Sequence, residues 1–123
     1  MAGAGYINVV GAVTGLGEPV PVIARGDVVT TPTKVVKLRQ IQATADTEEA
    51  LNMGGITTAS LIVIECVSND VDVDTSFVAA FAAELTVEEG GPPAVIPTPS
   101  GTMYLKNDDA GEKFTVDVTI VGT

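Results

Sequence analysis

Residues 112–123, Glu-Lys-Phe-Thr-Val-Asp-Val-Thr-Ile-Val-Gly-Thr, constrain the fold more than any other stretch. Phe114, Val116, Val118 and Ile120 alternate with Thr115, Asp117 and Thr119. A period of two sends the apolar side chains to one face of an extended strand and the polar ones to the other. β-branched residues dominate, which suits a pleated surface buried on one side. Such a strand is expected to be tied into a sheet. Aromatics make up only 4% of the 123 residues and tryptophan is absent, so the core has to be built from Val, Ile, Leu and Ala. This length fits one domain, which can bury a core without a metal or disulfide staple. A core poor in aromatics gives limited stability per monomer and favours association with copies or a partner.

The rest of the chain reads as short strands between turn signals. Residues 1–19 are rich in Gly and Ala around one apolar patch, Ile7 to Val10, and are expected to form an extended arm with room for one short strand. Gly15 to Pro19 is a loop by composition. Val20 to Ile23 suits an edge strand, because Pro21 cannot donate a ladder hydrogen bond. Arg25 to Asp27 turns the chain, and Val28 to Thr31 is a short strand interrupted by Pro32. In residues 34–45 the apolar face begins at Val36 and Leu38 and resumes at Ile41 and Ala43. That change of parity predicts a β-bulge near Arg39 or Gln40. Residues 46–50 fit either one helical turn capped by Asp46 or an acidic loop.

Ser60 to Ser68 reads as a central strand, apolar on both faces except at Glu65 and so expected to be covered on both. Asn69-Asp70 turns into a half-buried strand, Val71 to Asp74. Residues 76–88 satisfy two periods. Phe77, Phe81 and Leu85 lie four apart, as on a helix; Phe77, Ala79, Phe81, Ala83, Leu85 and Val87 alternate, as on a strand. The β context on both sides favours strand. Ala94 to Ile96 and Thr102 to Lys106 are further strands, and Asn107 to Gly111 is a hairpin connection into the strand at 112–123. About eight short strands predict an all-β fold. The expected form is a single-domain antiparallel β-sandwich, jelly-roll-like, with residues 1–33 as an N-terminal arm with edge strands and residues 34–123 as the sandwich body.

Residue types narrow the chemistry. Histidine is absent, which removes the commonest general base at neutral pH and excludes Ser-His-Asp and Cys-His catalysis. Cys66 is the only cysteine, so neither an intramolecular disulfide nor a cysteine-based metal site can form. It falls on an apolar strand face, where a thiol is inert. Asp70, Asp72 and Asp74 share a strand face and are the candidate Ca2+ ligands. A helix–loop–helix calcium loop is not completed, because Thr75 and Phe81 stand where its glycine and its last acid belong. The plainer reading is the solvated face of an edge strand, with like charges discouraging edge pairing. Gly3 to Gly5 and Gly11 to Gly15 lack the third glycine of a dinucleotide fingerprint, and neither runs into Gly-Lys-Ser/Thr. Glu48-Glu49 and Glu88-Glu89 are paired carboxylates, but adjacent side chains on extended backbone point apart and sugar-stacking aromatics are few. No catalytic residue, cofactor or membrane-spanning stretch is expected, and the chain is read as a non-enzyme.

The formal net charge of −10 is unevenly placed. In residues 1–39, Arg25, Lys34, Lys37 and Arg39 outnumber Glu18 and Asp27, a balance of +2; in residues 40–123, Lys106 and Lys113 face fourteen carboxylates, a balance of −12. An acidic body repels nucleic acid and anionic membrane, so neither is an expected partner. Lys34, Lys37 and Arg39 form the only basic cluster and are the candidate interface residues, suited to an acidic neighbour.

Residues 56–123 resemble small virion proteins of tailed bacteriophages, of the capsid decoration (cement) type. The resemblance rests on Ala59 to Cys66 (Ala-Ser-Leu-Ile-Val-Ile-Glu-Cys), on the alternating Asp-Val run at 70–74, and on Ser100 to Asn107 (Ser-Gly-Thr-Met-Tyr-Leu-Lys-Asn) leading into the strand beyond. It implies a compact β domain acting as a homo-oligomer, with a trimer favoured. Such proteins sit on the shell and bridge capsomers through an arm or loops. The implied partner is the major capsid protein or another virion protein, and the implied location is the virion, after assembly in the host cytoplasm. The expected function is structural stabilisation of the phage head. A tail, neck or baseplate component, or a β-sandwich module binding carbohydrate or Ca2+, is the alternative. Cementing a shell needs many weak contacts repeated by symmetry, not a reactive site. Residues 1–33, with few charges and many Gly, Val and Pro, can order on contact over a large surface.

Overall fold

A computed structural model describes residues 6–13, 20–27, 32–97, 99 and 101–123. Among them every regular element is a strand and every pairing is antiparallel. β1 (Tyr6–Val13) and β2 (Val20–Asp27) pair in a sheet of their own. The remaining strands are β3 (Lys34–Ile41), β4 (Glu49–Ala50), β5 (Ala59–Ser68), β6 (Val71–Asp74), β7 (Leu85–Val87), β8 (Ala94–Pro97), β9 (Tyr104–Asn107) and β10 (Thr115–Gly122). They form two four-stranded sheets, ordered β3-β10-β5-β8 and β4-β9-β6-β7.

The pairing is nested. β6 pairs with β7, β5 with β8, β4 with β9 and β3 with β10, each pair enclosing the previous one along the chain. Successive pairs fall alternately in the two sheets, and β10–β5 and β9–β6 complete the ladders. One hydrophobic cluster draws on both sheets: Ile62, Ile64, Cys66, Val116, Val118 and Ile120 from one, and Val71, Val73, Val87 and Leu105 from the other. The alternation in residues 112–123 is realised residue by residue. Phe114, Val116, Val118 and Ile120 are buried, while Thr115, Asp117 and Thr119 are half-buried on the opposite face. Each such valine or isoleucine contributes about 1.5–3 kcal/mol by leaving water. At the far end of β10, a Cβ on Gly122 would lie 2.1 Å from the Thr58 carbonyl oxygen, so only glycine admits this approach.

The structure departs from the sequence reading at several places. β3 carries no bulge: its register with β10 runs unbroken from Thr115↔Ile41 to Gly122↔Lys34. Ile41 points outward, and the next inward position is Gln42, which is 1% exposed. Its amide is satisfied there, with Nε2 donating to Thr47 O (3.0 Å) and Asn107 Oδ1 (2.8 Å) and Oε1 accepting from the Phe114 N–H (3.2 Å). The Asn107–Gly111 hairpin is replaced by a crossing, because β9 and β10 belong to different sheets. Residues 76–88 are neither a helix nor one strand; only β7 is regular. β6 lies between β9 and β7 and is not an edge. Of the two readings of residues 46–50, the loop holds at 46–48, with Asp46 at φ 64°, and Glu49–Ala50 form β4 in place of a helical turn. The outer face of β5 is buried at Leu61 but open at Glu65 and Val67, so cover on both faces holds only at its start. Arg25 to Asp27 do not turn but continue β2, opposite Tyr6 to Asn8. The loop expected at Gly15 to Pro19, the strand at Val28 to Thr31 and the glycines at Gly3 and Gly5 lie outside the described residues.

Candidate functional site

The registers place every connection of the two larger sheets at one of two ends. Ile41, Thr115 and Ser68 are cross-strand neighbours in one sheet, and Asn107, Val71 and Val87 in the other. Connections 42–48, 69–70, 88–93 and 108–114 therefore share an end. Connections 51–58, 75–84 and 98–103 share the opposite one, where Lys34, Gly122 and Ala59 meet and where Ala50, Tyr104 and Asp74 meet. The first group carries Asp46, Glu48, Asp70, Glu88, Glu89, Asp108, Asp109 and Glu112 against Lys113 alone. The second carries a single charged residue, Glu84. The domain thus has an acidic end and a neutral end.

At the acidic end much of the charge is employed in tying connections together. Asp46 Oδ1 accepts from Asn107 Nδ2 and from the Gly111 N–H, both at 2.9 Å. Asn107 Oδ1 accepts from the Asp46 N–H at 2.8 Å, alongside Gln42. Asp70 Oδ1 accepts from the Glu89 N–H (2.8 Å), and Asn69 Nδ2 donates to Lys113 O (2.8 Å). The Gly111 N–H, and then Asn107, hold the Asp46 carboxyl below its ordinary pKa. Its stabilisation is therefore present above the unfolded pKa and lost as pH falls through the lowered folded one. Asp108 behaves oppositely. The Asp72 charge first, then burial and Asp109, push it up. The folded chain then binds that proton more tightly than the unfolded chain, and a penalty stands above the raised folded pKa. Asp108→Asn is expected to raise the melting temperature at pH 7, with the gain vanishing below the unfolded carboxylate pKa. An equal melting temperature for the two proteins at pH 7 and low salt would refute this.

The sequence-derived site residues do not converge. Asp70 and Asp74 sit at opposite ends of β6, and each carboxylate has its own protein donor, with Asp72 Oδ1 accepting from Thr86 Oγ1 at 2.6 Å. Among the described residues no group of three or more His, Cys, Asp or Glu side chains is arranged to hold a metal. Lys34, Lys37 and Arg39 lie on β3, an edge of its sheet, but not on one face. Arg39 pairs bidentately with Asp117 (Nε–Oδ1 2.7 Å, Nη2–Oδ2 3.0 Å), which lowers the Asp117 pKa; an exposed pair of this kind contributes little stability. Lys34 turns the other way and donates to Gly55 O at 3.4 Å. Cys66 Sγ donates to Asn69 O (2.9 Å), and burial first, with Asp70 and Glu89, pushes its thiol pKa up, away from a reactive thiolate.

The neutral end has a built surface that the periodicities did not announce. Asp74, 2% exposed, accepts from the Ser76 N–H at 3.0 Å and the Ala82 N–H at 2.9 Å, closing the loop 75–84 over one carboxylate. The Phe77 N–H donates to Thr102 O (3.0 Å), and its ring stacks on Tyr104 with centroids 3.8 Å apart. Gly101 packs so closely on Thr75 and Ser76 that a Cβ would lie 2.8 Å from their backbone. Glu84 accepts from Ser76 Oγ (2.5 Å) and from Thr75 Oγ1, which lowers its pKa. With its flanks held, the loop projects Val78, 82% exposed, beside Ala79 at φ 62°. The Ala80 N–H donates to Val78 O (2.7 Å), which makes a γ-turn, a strained conformation for alanine. Next to this tip is a cleft of about 340 Å3 lined by Leu51, Met53, Ala59, Ile62, Pro99 and Met103, with Thr57, Thr58 and Thr102 at its polar positions. The one sequence signal for this arrangement was Asp74 followed by Thr75 and Ser76, a favourable start for a side-chain-capped turn. The cleft offers apolar contact and hydroxyl groups without a charge to desolvate, which suits docking.

Comparison of the chain with protein-family models, with curated proteins and with solved structures found no match.

Proposed function

We propose that the chain is a non-enzymatic structural protein of a phage virion, in the first place a capsid decoration protein that stabilises the head as a homo-oligomer, with a trimer favoured. The observation that carries this is the polarity of the domain: charged connections at one end, and a neutral end with a cleft and a projecting apolar tip. A protein that coats a particle as an oligomer needs one surface to associate through and another to remain hydrated, and these two ends fit those needs. The fold supports the reading. Numbered within the body, β3 to β10 pair first with eighth, second with seventh, third with sixth and fourth with fifth. We read that order as a jelly-roll-like sandwich, an architecture of viral coat domains and also of lectins. The chain enters β3 at the neutral end, where the Thr33 N–H donates to Gly122 O (2.9 Å), and we read residues 1–33 as an arm that reaches a neighbour.

On this reading the partners are further copies and the major capsid protein, and the location is the virion after assembly in the host cytoplasm. The test has two parts. Light scattering on the full chain at two concentrations is expected to give a mass near three times 12.5 kDa. Mixing with heads of the encoding phage is expected to bring the protein down with them on sedimentation. A monomer that stays in the supernatant would sink the proposal. Recovery with tails in place of heads would move the protein to a tail, neck or baseplate position.

A further inference from the structure

We infer that the neutral end is the self-association surface, with the Val78 tip of one copy seated in the cleft between the β4–β5 and β8–β9 connections of the next. This rests on the homo-oligomer reading above and names the contact that would build it. The partner is argued from charge. Two copies of a chain with net charge −10 repel wherever their acidic connections approach. The neutral end, with Glu84 as the sole charged residue of its connections, is where like molecules can meet without that cost.

Shape agrees. Val78 is not among the residues lining its own copy's cleft, and at 82% exposed it is an apolar side chain that the described residues leave open. A cleft of about 340 Å3 is at the lower end of the size that encloses a small ligand, and it has room for a valine and its alanine neighbours. Tip and cleft lie side by side on one end, so the contact is head-to-tail: each copy gives a tip to one neighbour and receives one from the other. Such a contact closes into a ring when the rotation permits. The tip is also preformed. Asp74 and the Phe77–Tyr104 stack hold the loop before contact, so little ordering entropy remains to oppose association.

The experiment compares the native mass of the full-length protein with that of Val78→Asp and of Thr58→Lys, the latter placed in the cleft lining. Both sites are exposed, so circular dichroism is expected to match the parent, and melting to fall only by the stabilisation that association adds. Each variant is expected to fall from the oligomer to one-third of its mass. An equimolar mixture of the two retains one intact tip and one intact cleft and is expected to recover a dimer. Wild-type mass in Val78→Asp overturns the inference, as does a mixture that stays monomeric at concentrations where the parent is fully assembled. Head co-sedimentation of the parent, measured separately, decides the virion role. A parent that binds heads as a monomer would refute the self-contact and leave that role standing. Loss of head binding by Val78→Asp with no change in mass would assign the tip to another protein and refute the self-contact too.

Discussion

Phe114→Ala is expected to cost about 3–5 kcal/mol of folding stability, the largest loss from any single truncation among the described residues. Phe114 is fully buried and is the only aromatic side chain in the buried cluster shared by the two sheets. Its backbone is held on both sides: the Gln42 N–H donates to Phe114 O at 3.0 Å, and the Phe114 N–H donates to Gln42 Oε1 at 3.2 Å. The crossing from β9 to β10 therefore cannot slide inward to fill the space left by the ring. Incomplete collapse is what drives such substitutions toward the upper part of their range. Domains of this size carry a total stability of about 5–15 kcal/mol, so the loss would leave a chain that is partly unfolded in mild urea. Urea unfolding is the measurement, with the midpoint expected to fall at an unchanged slope. A loss below about 1 kcal/mol would mean that Phe114 is not a core residue in solution.

Asp74→Ala is the second large effect, expected at about 2 kcal/mol, because it removes the acceptor of two backbone donors at once. Ser76 and Ala82 bring the two flanks of the loop 75–84 to this one carboxylate. Without it, the positive φ at Ala79 has no reason to persist, and that strain is released as the loop opens. Hydrogen exchange at the Ser76 and Ala82 amides is expected to speed up far more than at Val116 or Val118. Asp74→Asn keeps one acceptor oxygen in place of two and is expected to fall between the parent and Asp74→Ala. Unchanged exchange at both amides in Asp74→Ala would show that the Phe77–Tyr104 stack and the Gly101 contact hold the loop by themselves. The effect on assembly follows the effect on the loop, since Val78 is presented only while the loop is closed.

Legibility of the site was uneven for a physical reason. The acids of the turn segments were visible at once, and so was their excess over cations. Which turns share an end was not visible, because that depends on nested pairing between strands far apart in sequence, such as β3 with β10. Lys34, Lys37 and Arg39 looked like one cluster because spacing counts residues; the pleat then sent Lys34 to one face and Lys37 and Arg39 to the other. Asp70, Asp72 and Asp74 looked equivalent because alternation puts them on one face. Their surroundings differ, since β6 runs from the acidic end to the neutral one, and only Asp74 has two loop amides to receive.

By itself the sequence determined the local elements whose periodicity is unambiguous. β10 and β6 are strands with the inward faces that their alternation dictates, since a period of two has only one way to bury Val116, Val118 and Ile120 together, while β5 was legible as a strand but, being apolar on both faces, not for which face turns inward. It determined as well that the chemistry of histidine and of paired cysteines is absent. Tertiary structure alone decided what happens where local preferences tie or conflict. Residues 76–88 obey two periods, and acceptors outside them, Asp74 and Val73 just before and Thr102 far along the chain, outweigh both. Gln42 is polar in the sequence and buried in the fold, because Asn107 and Thr47 accept from its amide nitrogen and the Phe114 N–H donates to its amide oxygen. In each case contacts between residues remote in the chain take part, Phe77 with Thr102 and Gln42 with Asn107 and Phe114, and no short window along the sequence contains both partners of these.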